Sequence, residues 1–304
     1  MPQPRKRALR WVTLLCLIGL VGVLHNPRAG RPPHQAEWLA AGDTKVRTVR
    51  AGVGDTTLLL IHGFGESLFT WRAVFDQFAR HYRVVAMDLP GFAGSDKPDA
   101  SYSLDSMTGR LTSFLDQWTS GPVVVVGHSM GGALATTLSL ARPDRIQATV
   151  LIAPAGWGIG LGGIADTMSA SKALAIGWYL SSRAFLLPEH DPDWLGEPAP
   201  VADYSLVTDP AYRRAASRVL LEFNFAGLRN SFRKLEQPVH LIWGELDPVI
   251  PFAIADSLSR QIPCSKLTSF PTALHRPQVE IPDTVAAVVL AFVRAPACLT
   301  SIPN

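Results

Sequence analysis

The stretch Pro122-Val123-Val124-Val125-Val126-Gly127-His128-Ser129-Met130-Gly131-Gly132 decides how this chain folds. Four consecutive valines, with no polar residue alternating between them, read as a strand buried on both faces. Ala133, Leu134 and Ala135 then open a run with helical spacing. Only a few glycine-rich residues separate the two, so the backbone must turn tightly from strand into helix. A strand feeding a helix in this way is the start of a right-handed crossover, the building unit of a parallel sheet.

The same alternation continues on both sides of this unit. Strand-like runs occur at Thr57 to Ile61, Arg83 to Met87, Ala148 to Ile152, Pro238 to Trp243 and Lys266 to Phe270. Helical spacing of apolar residues occurs at Phe69 to Arg80, Leu104 to Trp118, Met130 to Ala141, Pro251 to Gln261 and Thr284 to Arg294. The expected fold is therefore α/β, a mostly parallel doubly wound sheet. The rhythm breaks once, from about Trp157 to Glu236, where no strand-like run occurs and Trp, Tyr, Phe and Leu are frequent. That stretch reads as an inserted helical cap. The motif Gly158-Ile159-Gly160-Leu161-Gly162-Gly163 at its start has no acidic residue about twenty positions on, and reads as an apolar way into the cap rather than a dinucleotide site.

The formal charge of +3 is small, and much of it comes from Arg5, Lys6, Arg7 and Arg10. No basic stripe with interleaved aromatics follows residue 50, which argues against a nucleic-acid partner. Behind the basic cluster, Trp11 to Leu24 (WVTLLCLIGLVGVL) is free of charge for fourteen residues, the length of a signal h-region. The expectation is export, or membrane anchoring through residues 11–24, and no A-x-A-like cleavage site follows the run. Residues 25–45, with Pro27, Gly30, Pro32 and Pro33, read as a linker, so that residues 1–45 precede a folded domain beginning near Val46. Cys16, Cys264 and Cys298 lack metal-binding spacing. A Cys264–Cys298 bridge is one option, and unpaired thiols are the expected state.

Ser129 sits in Gly127-x-Ser129-x-Gly131 between strand and helix, where a serine hydroxyl projects above the sheet. A hydroxyl is a weak nucleophile until a base takes its proton, and that base needs a carboxylate to hold its tautomer. Asp247, in Trp243-Gly244-Glu245-Leu246-Asp247-Pro248, lies just past a strand, where parallel sheets place their sites; Glu245 is its neighbouring rival. His275, in Phe270-Pro271-Thr272-Ala273-Leu274-His275-Arg276, also lies just past a strand and is the sole histidine after Asp247. The backbone N–H groups of Phe64 and Met130 are the candidate donors for a developing oxyanion, because Gly63 and Gly65 let the loop point inward. His62 and His128 read as structural, with His128 directed away from the serine. No cofactor or metal is called for.

Together with the segment Asp88-Leu89-Pro90-Gly91-Phe92-Ala93-Gly94-Ser95-Asp96, the motifs HGFGES, GHSMGG and GELDPVIP resemble the α/β-hydrolase superfamily over about Val46 to Arg294. The resemblance implies a serine esterase or lipase-like enzyme, with a catalytic domain of residues 46–156 and 237–304 and a cap of residues 157–236. Its substrate is expected to be a small-molecule or lipid ester. Haloalkane dehalogenases and epoxide hydrolases resemble the chain but carry aspartate where Ser129 stands. Hydrolases of carbon–carbon bonds in ring-cleavage products keep the serine and are the nearest alternative, although many follow their histidine with tryptophan where this chain has Arg276. A non-catalytic, membrane-tethered module on the same fold is a third reading.

Overall fold

The apolar runs become the strands of one eight-stranded sheet. The computed structural model describes residues 34–157, 192–195 and 209–296. Strands β1 (Ala36–Ala41), β2 (Thr44–Ala51), β3 (Thr57–Ile61), β4 (Arg83–Met87), β5 (Val123–His128), β6 (Ile146–Ile152), β7 (Val239–Gly244) and β8 (Ser265–Phe270) lie in the order β1-β2-β4-β3-β5-β6-β7-β8. Pairing is parallel from β4 through β3 to β8, and antiparallel for β1 with β2 and β2 with β4.

Successive residues of the central strands point to opposite faces, and both faces are covered. Leu58, Leu60, Val84, Ala86, Val124 and Val126 pack with Val74, Phe75 and Phe78 of helix α1 (Arg72–Ala79) and with Val285, Ala286, Val289 and Phe292 of the C-terminal helix, Pro282–Arg294. Leu59, Ile61, Val85, Met87, Val123 and Val125 pack on the other side, against α2 (Leu104–Trp118), α3 (Met130–Ala141) and the helix Ala253–Gln261. Ser103 caps α2 by accepting from Ser106 N–H at 3.2 Å. This double cover is the doubly wound α/β architecture expected from the strand pattern.

The chain enters the sheet earlier than the linker composition implies. Residues Ala36–Ala41 form β1, paired in register with β2 from Ala36 opposite Val49 to Ala41 opposite Thr44. Gly42 takes φ 62° in the two-residue turn between them. The expected linker of residues 25–45 thus contains a strand from residue 36, because the Pro and Gly that marked it stop at Pro33.

Two further expectations are corrected. Cys264, read as an unpaired thiol, is disulfide-bonded; sequence separation could not reveal which chain segment lies beside it. The expected export or membrane anchoring through residues 11–24 is overturned: among the described residues no helix is long and apolar enough to cross a membrane. The segment 11–24 itself lies outside the described residues.

Of the expected cap, residues 158–191 and 196–208 lie outside the described residues, including Gly158 to Gly163. The described part of this insertion contains the short helix Pro192–Leu195 and α4, Pro210–Glu222, capped by Asp209, whose side chain accepts from Ala211 N–H at 2.9 Å.

Candidate active site

β5 delivers the chain to Ser129, which has φ 51° and ψ −117°. A residue with a Cβ holds this backbone only at a cost of about 1–3 kcal/mol, so its surroundings must impose it. They do: Ser129 N–H donates to the Ile152 carbonyl at 3.0 Å, and the Ser129 carbonyl accepts from Gly132 and Ala155 N–H, each at 2.9 Å. The glycines of the motif are required by close approach. A Cβ on Gly127 would run into the Gly131 carbonyl, and one on Gly131 into the carbonyls of Ile61 and His62. Ser129 is also the N-cap residue of α3, yet its side chain makes no cap hydrogen bond. The hydroxyl is left over for other chemistry.

The loop after β3 carries Phe64. His62, fully buried, fastens this loop by donating from Nδ1 to the Gly63 carbonyl at 2.7 Å and accepting Leu89 N–H on Nε2 at 2.8 Å. Accepting on Nε2 requires a neutral ring, and burial pushes the His62 pKa down accordingly. The structural part read for His62 is what these contacts describe. Phe64 N–H enters no backbone hydrogen bond among the described residues, and Met130, as first residue of α3, has no helical acceptor for its own. The Phe64 ring meets Phe92 edge-on at 5.5 Å, and Phe92 meets Tyr212 of α4 at 6.0 Å.

Past the ends of β7 and β8 the sheet brings Asp247 and His275 together, 28 residues apart in sequence, with His275 Nδ1 donating to Asp247 Oδ2 at 2.7 Å. The other oxygen, Oδ1, accepts Val249 N–H at 2.7 Å and Ile250 N–H at 2.9 Å. Asp247 therefore both shapes its turn and orients the imidazole. Its rival Glu245 is committed elsewhere, accepting from Ser269 Oγ at 2.7 Å. Burial pushes the His275 pKa down, the Asp247 hydrogen bond pushes it back up, and the positive field of His128 lowers it again; the net direction is down.

The partners of His128, read from sequence only as a structural residue, emerge in the tertiary structure. Its ring lies 4.8 Å from the His275 ring, with Nδ1 2.9 Å from Glu66 Oε2 and Nε2 2.9 Å from the His275 carbonyl oxygen. Glu66 Oε2 also accepts Gly63 N–H at 2.8 Å. Glu280 holds the base loop from its other side, accepting Leu274 N–H and, at 2.9 Å, Arg276 N–H. Sequence alone assigns neither glutamate its partner, since Glu66 meets His128 62 positions away and Glu280 acts through the turn after β8. The acid of HGFGES and the histidine before the serine were the one signal available.

Residues 58–288 match the family described as "Alpha/beta hydrolase family". The chain belongs to that family. Among relatives of this α/β-hydrolase, the "Dihydrolipoyllysine-residue acetyltransferase component of acetoin cleaving system" of Cupriavidus necator is 32% identical over 251 residues, covering 78% of this chain. The α/β-hydrolase spans only 63% of that protein's length, and 65% of the corresponding component from Pseudomonas putida. The "2-hydroxy-6-oxo-6-(2'-aminophenyl)hexa-2,4-dienoic acid hydrolase" of Metapseudomonas resinovorans is 29% identical, over 86% of this chain and 91% of its own. The "Pimeloyl-[acyl-carrier protein] methyl ester esterase" of Aeromonas salmonicida is 28% identical, over 78% and 94%. The α/β-hydrolase thus has relatives named as an esterase and as a dienoic acid hydrolase. Among its described residues no group of three or more His, Cys, Asp and Glu side chains could hold a metal ion.

Proposed function

We propose that this α/β-hydrolase cleaves carboxylic esters through an acyl-enzyme on Ser129. The observation that carries the reading is the 2.7 Å hydrogen bond from His275 to Asp247, at the same sheet edge as a serine on a strained strand-to-helix turn. Ser129 Oγ attacks the ester carbonyl while His275 Nε2 takes its proton, and Asp247 stabilises the imidazolium that forms. The Phe64 and Met130 N–H groups hold the oxyanion. Collapse returns the proton to the leaving alcohol. Water, deprotonated by His275, then releases the acid and restores the serine.

In this reading the insertion between β6 and β7, residues 157–236, is a cap beside Ser129. Its described aromatics include Trp157, under the Arg229 guanidinium at 4.8 Å, and the buried Phe223; Trp178, Tyr179 and Phe185 lie outside the described residues. An apolar acyl or alcohol group suits such a wall, and the esterase relative supports ester chemistry. The Metapseudomonas resinovorans relative favours a second reading, hydrolysis of a carbon–carbon bond in a ring-cleavage product by the same residues.

The test is hydrolysis of a p-nitrophenyl ester series from short to long acyl chains, native against Ser129→Ala. Native activity that is lost in the variant supports the ester reading and ranks acyl length. A native protein inactive on every ester but labelled at Ser129 by a fluorophosphonate turns the reading to the carbon–carbon substrate. Ester hydrolysis that survives in Ser129→Ala sinks Ser129 as nucleophile.

A further inference from the structure

The nucleophile turn carries a buried histidine that this mechanism does not use. His128 immediately precedes Ser129 and is fully buried. Its Nε2 faces the His275 carbonyl oxygen at 2.9 Å. A carbonyl only accepts, so Nε2 carries a proton. Its Nδ1 faces Glu66 Oε2 at 2.9 Å, an oxygen that also takes Gly63 N–H at 2.8 Å and Thr70 Oγ1 at 3.4 Å. An oxygen gathering that many donors is ionised, so Nδ1 carries a proton as well. These partners suit an imidazolium in a buried ion pair.

We propose that His128 is a positioning residue: paired with Glu66, it ties the oxyanion loop and the base loop to the nucleophile turn, and its charge sets the electrostatic setting in which His275 works. The inference rests on the serine-hydrolase reading above. Three segments that must meet to within a fraction of an ångström are joined by one side chain: Gly63–Glu66 through the carboxylate, Ser129 through the backbone, and His275 through its own carbonyl.

The charges around His128 are consistent with this. Glu66 and His62 face it from the loop after β3, and His275, Arg276 and, beyond them, Asp247 from the loops after β8 and β7. Burial alone would lower the His128 pKa, but the charge and hydrogen bond of Glu66, with the His275 carbonyl, outweigh it and raise the pKa. Burial likewise opposes ionisation of Glu66, yet His128, then Arg276 and Gly63 N–H, hold it down at about 2. A cation 4.8 Å from the His275 ring disfavours a second cation there. His275 therefore stays neutral, and able to accept the serine proton, at lower pH than it otherwise would.

The test compares the native full chain with His128→Asn and Glu66→Gln, reading the pH dependence of fluorophosphonate labelling of Ser129 and of ester hydrolysis. In His128→Asn the acid limb of both profiles is expected to move up by about one pH unit, roughly tenfold in rate on the acid side, since a charge at this separation is only partly screened. Glu66→Gln should shift it less, because the carboxylate that raises the His275 pKa goes together with the His128 charge, and should keep more of the plateau rate, because a neutral His128 still donates Nε2–H to the His275 carbonyl. A His128→Asn protein whose plateau falls while its acid limb stays put overturns the proposal and leaves a merely structural histidine. Nitrogen NMR of the native chain decides independently of folding in the variants: a His128 ring doubly protonated above pH 6.5 supports the pair, and one neutral there overturns it. Absence of Ser129 labelling in the native protein would instead count against the hydrolase reading, and the NMR titration would still stand or fall by itself.

Discussion

Replacing Asp247 by asparagine tests the orientation of the base with little change in shape. The native carboxylate is used twice: Oδ2 accepts from His275 Nδ1 at 2.7 Å, and Oδ1 accepts from Val249 and Ile250 N–H at 2.7 and 2.9 Å. An amide has one oxygen to offer. Turned toward His275, it would aim its NH2 at two backbone donors and lose two hydrogen bonds; turned toward the backbone, it loses one. With about 2 kcal/mol for a hydrogen bond to such a group, the second orientation is favoured roughly thirtyfold. The NH2 then donates to His275 Nδ1, which puts the ring proton on Nε2, the nitrogen that must take the serine proton. Adding the lost stabilisation of the imidazolium, kcat should fall by about 10⁴, or roughly 5 kcal/mol of transition-state stabilisation. KM should hardly change, because the Asp247 side chain is fully buried behind its hydrogen bond to His275. Stopped-flow and steady-state hydrolysis of a p-nitrophenyl ester would measure both. An Asp247→Asn protein keeping more than about a tenth of native kcat would refute the reasoning, since His275 would not then depend on Asp247 for its tautomer.

Gly131→Ala should cost roughly 3 kcal/mol or more in urea unfolding, because its Cβ would run into the Ile61 and His62 carbonyls and neither backbone can retreat; a loss under about 1 kcal/mol would show that the turn has more room than these contacts allow. The same substitution should lower kcat, as relief of that clash pushes Phe64 N–H away from Met130. The pH profile of kcat/KM should rise with its midpoint below the ordinary histidine value of 6.5, since burial first, and His128 as well, lower the His275 pKa. The sign follows because the neutral ring is the active form, so lowering the pKa extends activity toward acid; a midpoint above 6.5 would contradict it.

The parallel core of the fold was legible because its strands are buried on both faces and so spell unbroken apolar runs. Thr57–Ile61 and Arg83–Met87 appear in the structure with the bounds their residues suggest. The antiparallel strands β1, at the sheet edge, and β2 beside it were not, since Glu37, Lys45, Arg47 and Arg50 interrupt the apolar residues along them. The Gly42-Asp43 pair between alternating residues was the available hairpin signal. In the site, Ser129, Asp247 and His275 were readable from local motifs, because each sits at a strand end with a characteristic turn around it.

The sequence by itself determined the parallel core of the sheet, the sharp turn at Ser129 and the order of the three candidate residues, all of which depend on local backbone geometry and short-range burial. Only the tertiary structure decided that Glu245 binds Ser269 while Asp247 meets His275, and that His128 reaches both Glu66 and the His275 backbone. Those pairings join residues 24, 28, 62 and 147 positions apart. The physical reason is one of range: a glycine turn is imposed by its immediate neighbours, whereas a buried charge is placed by whichever partner the packed sheet carries to it.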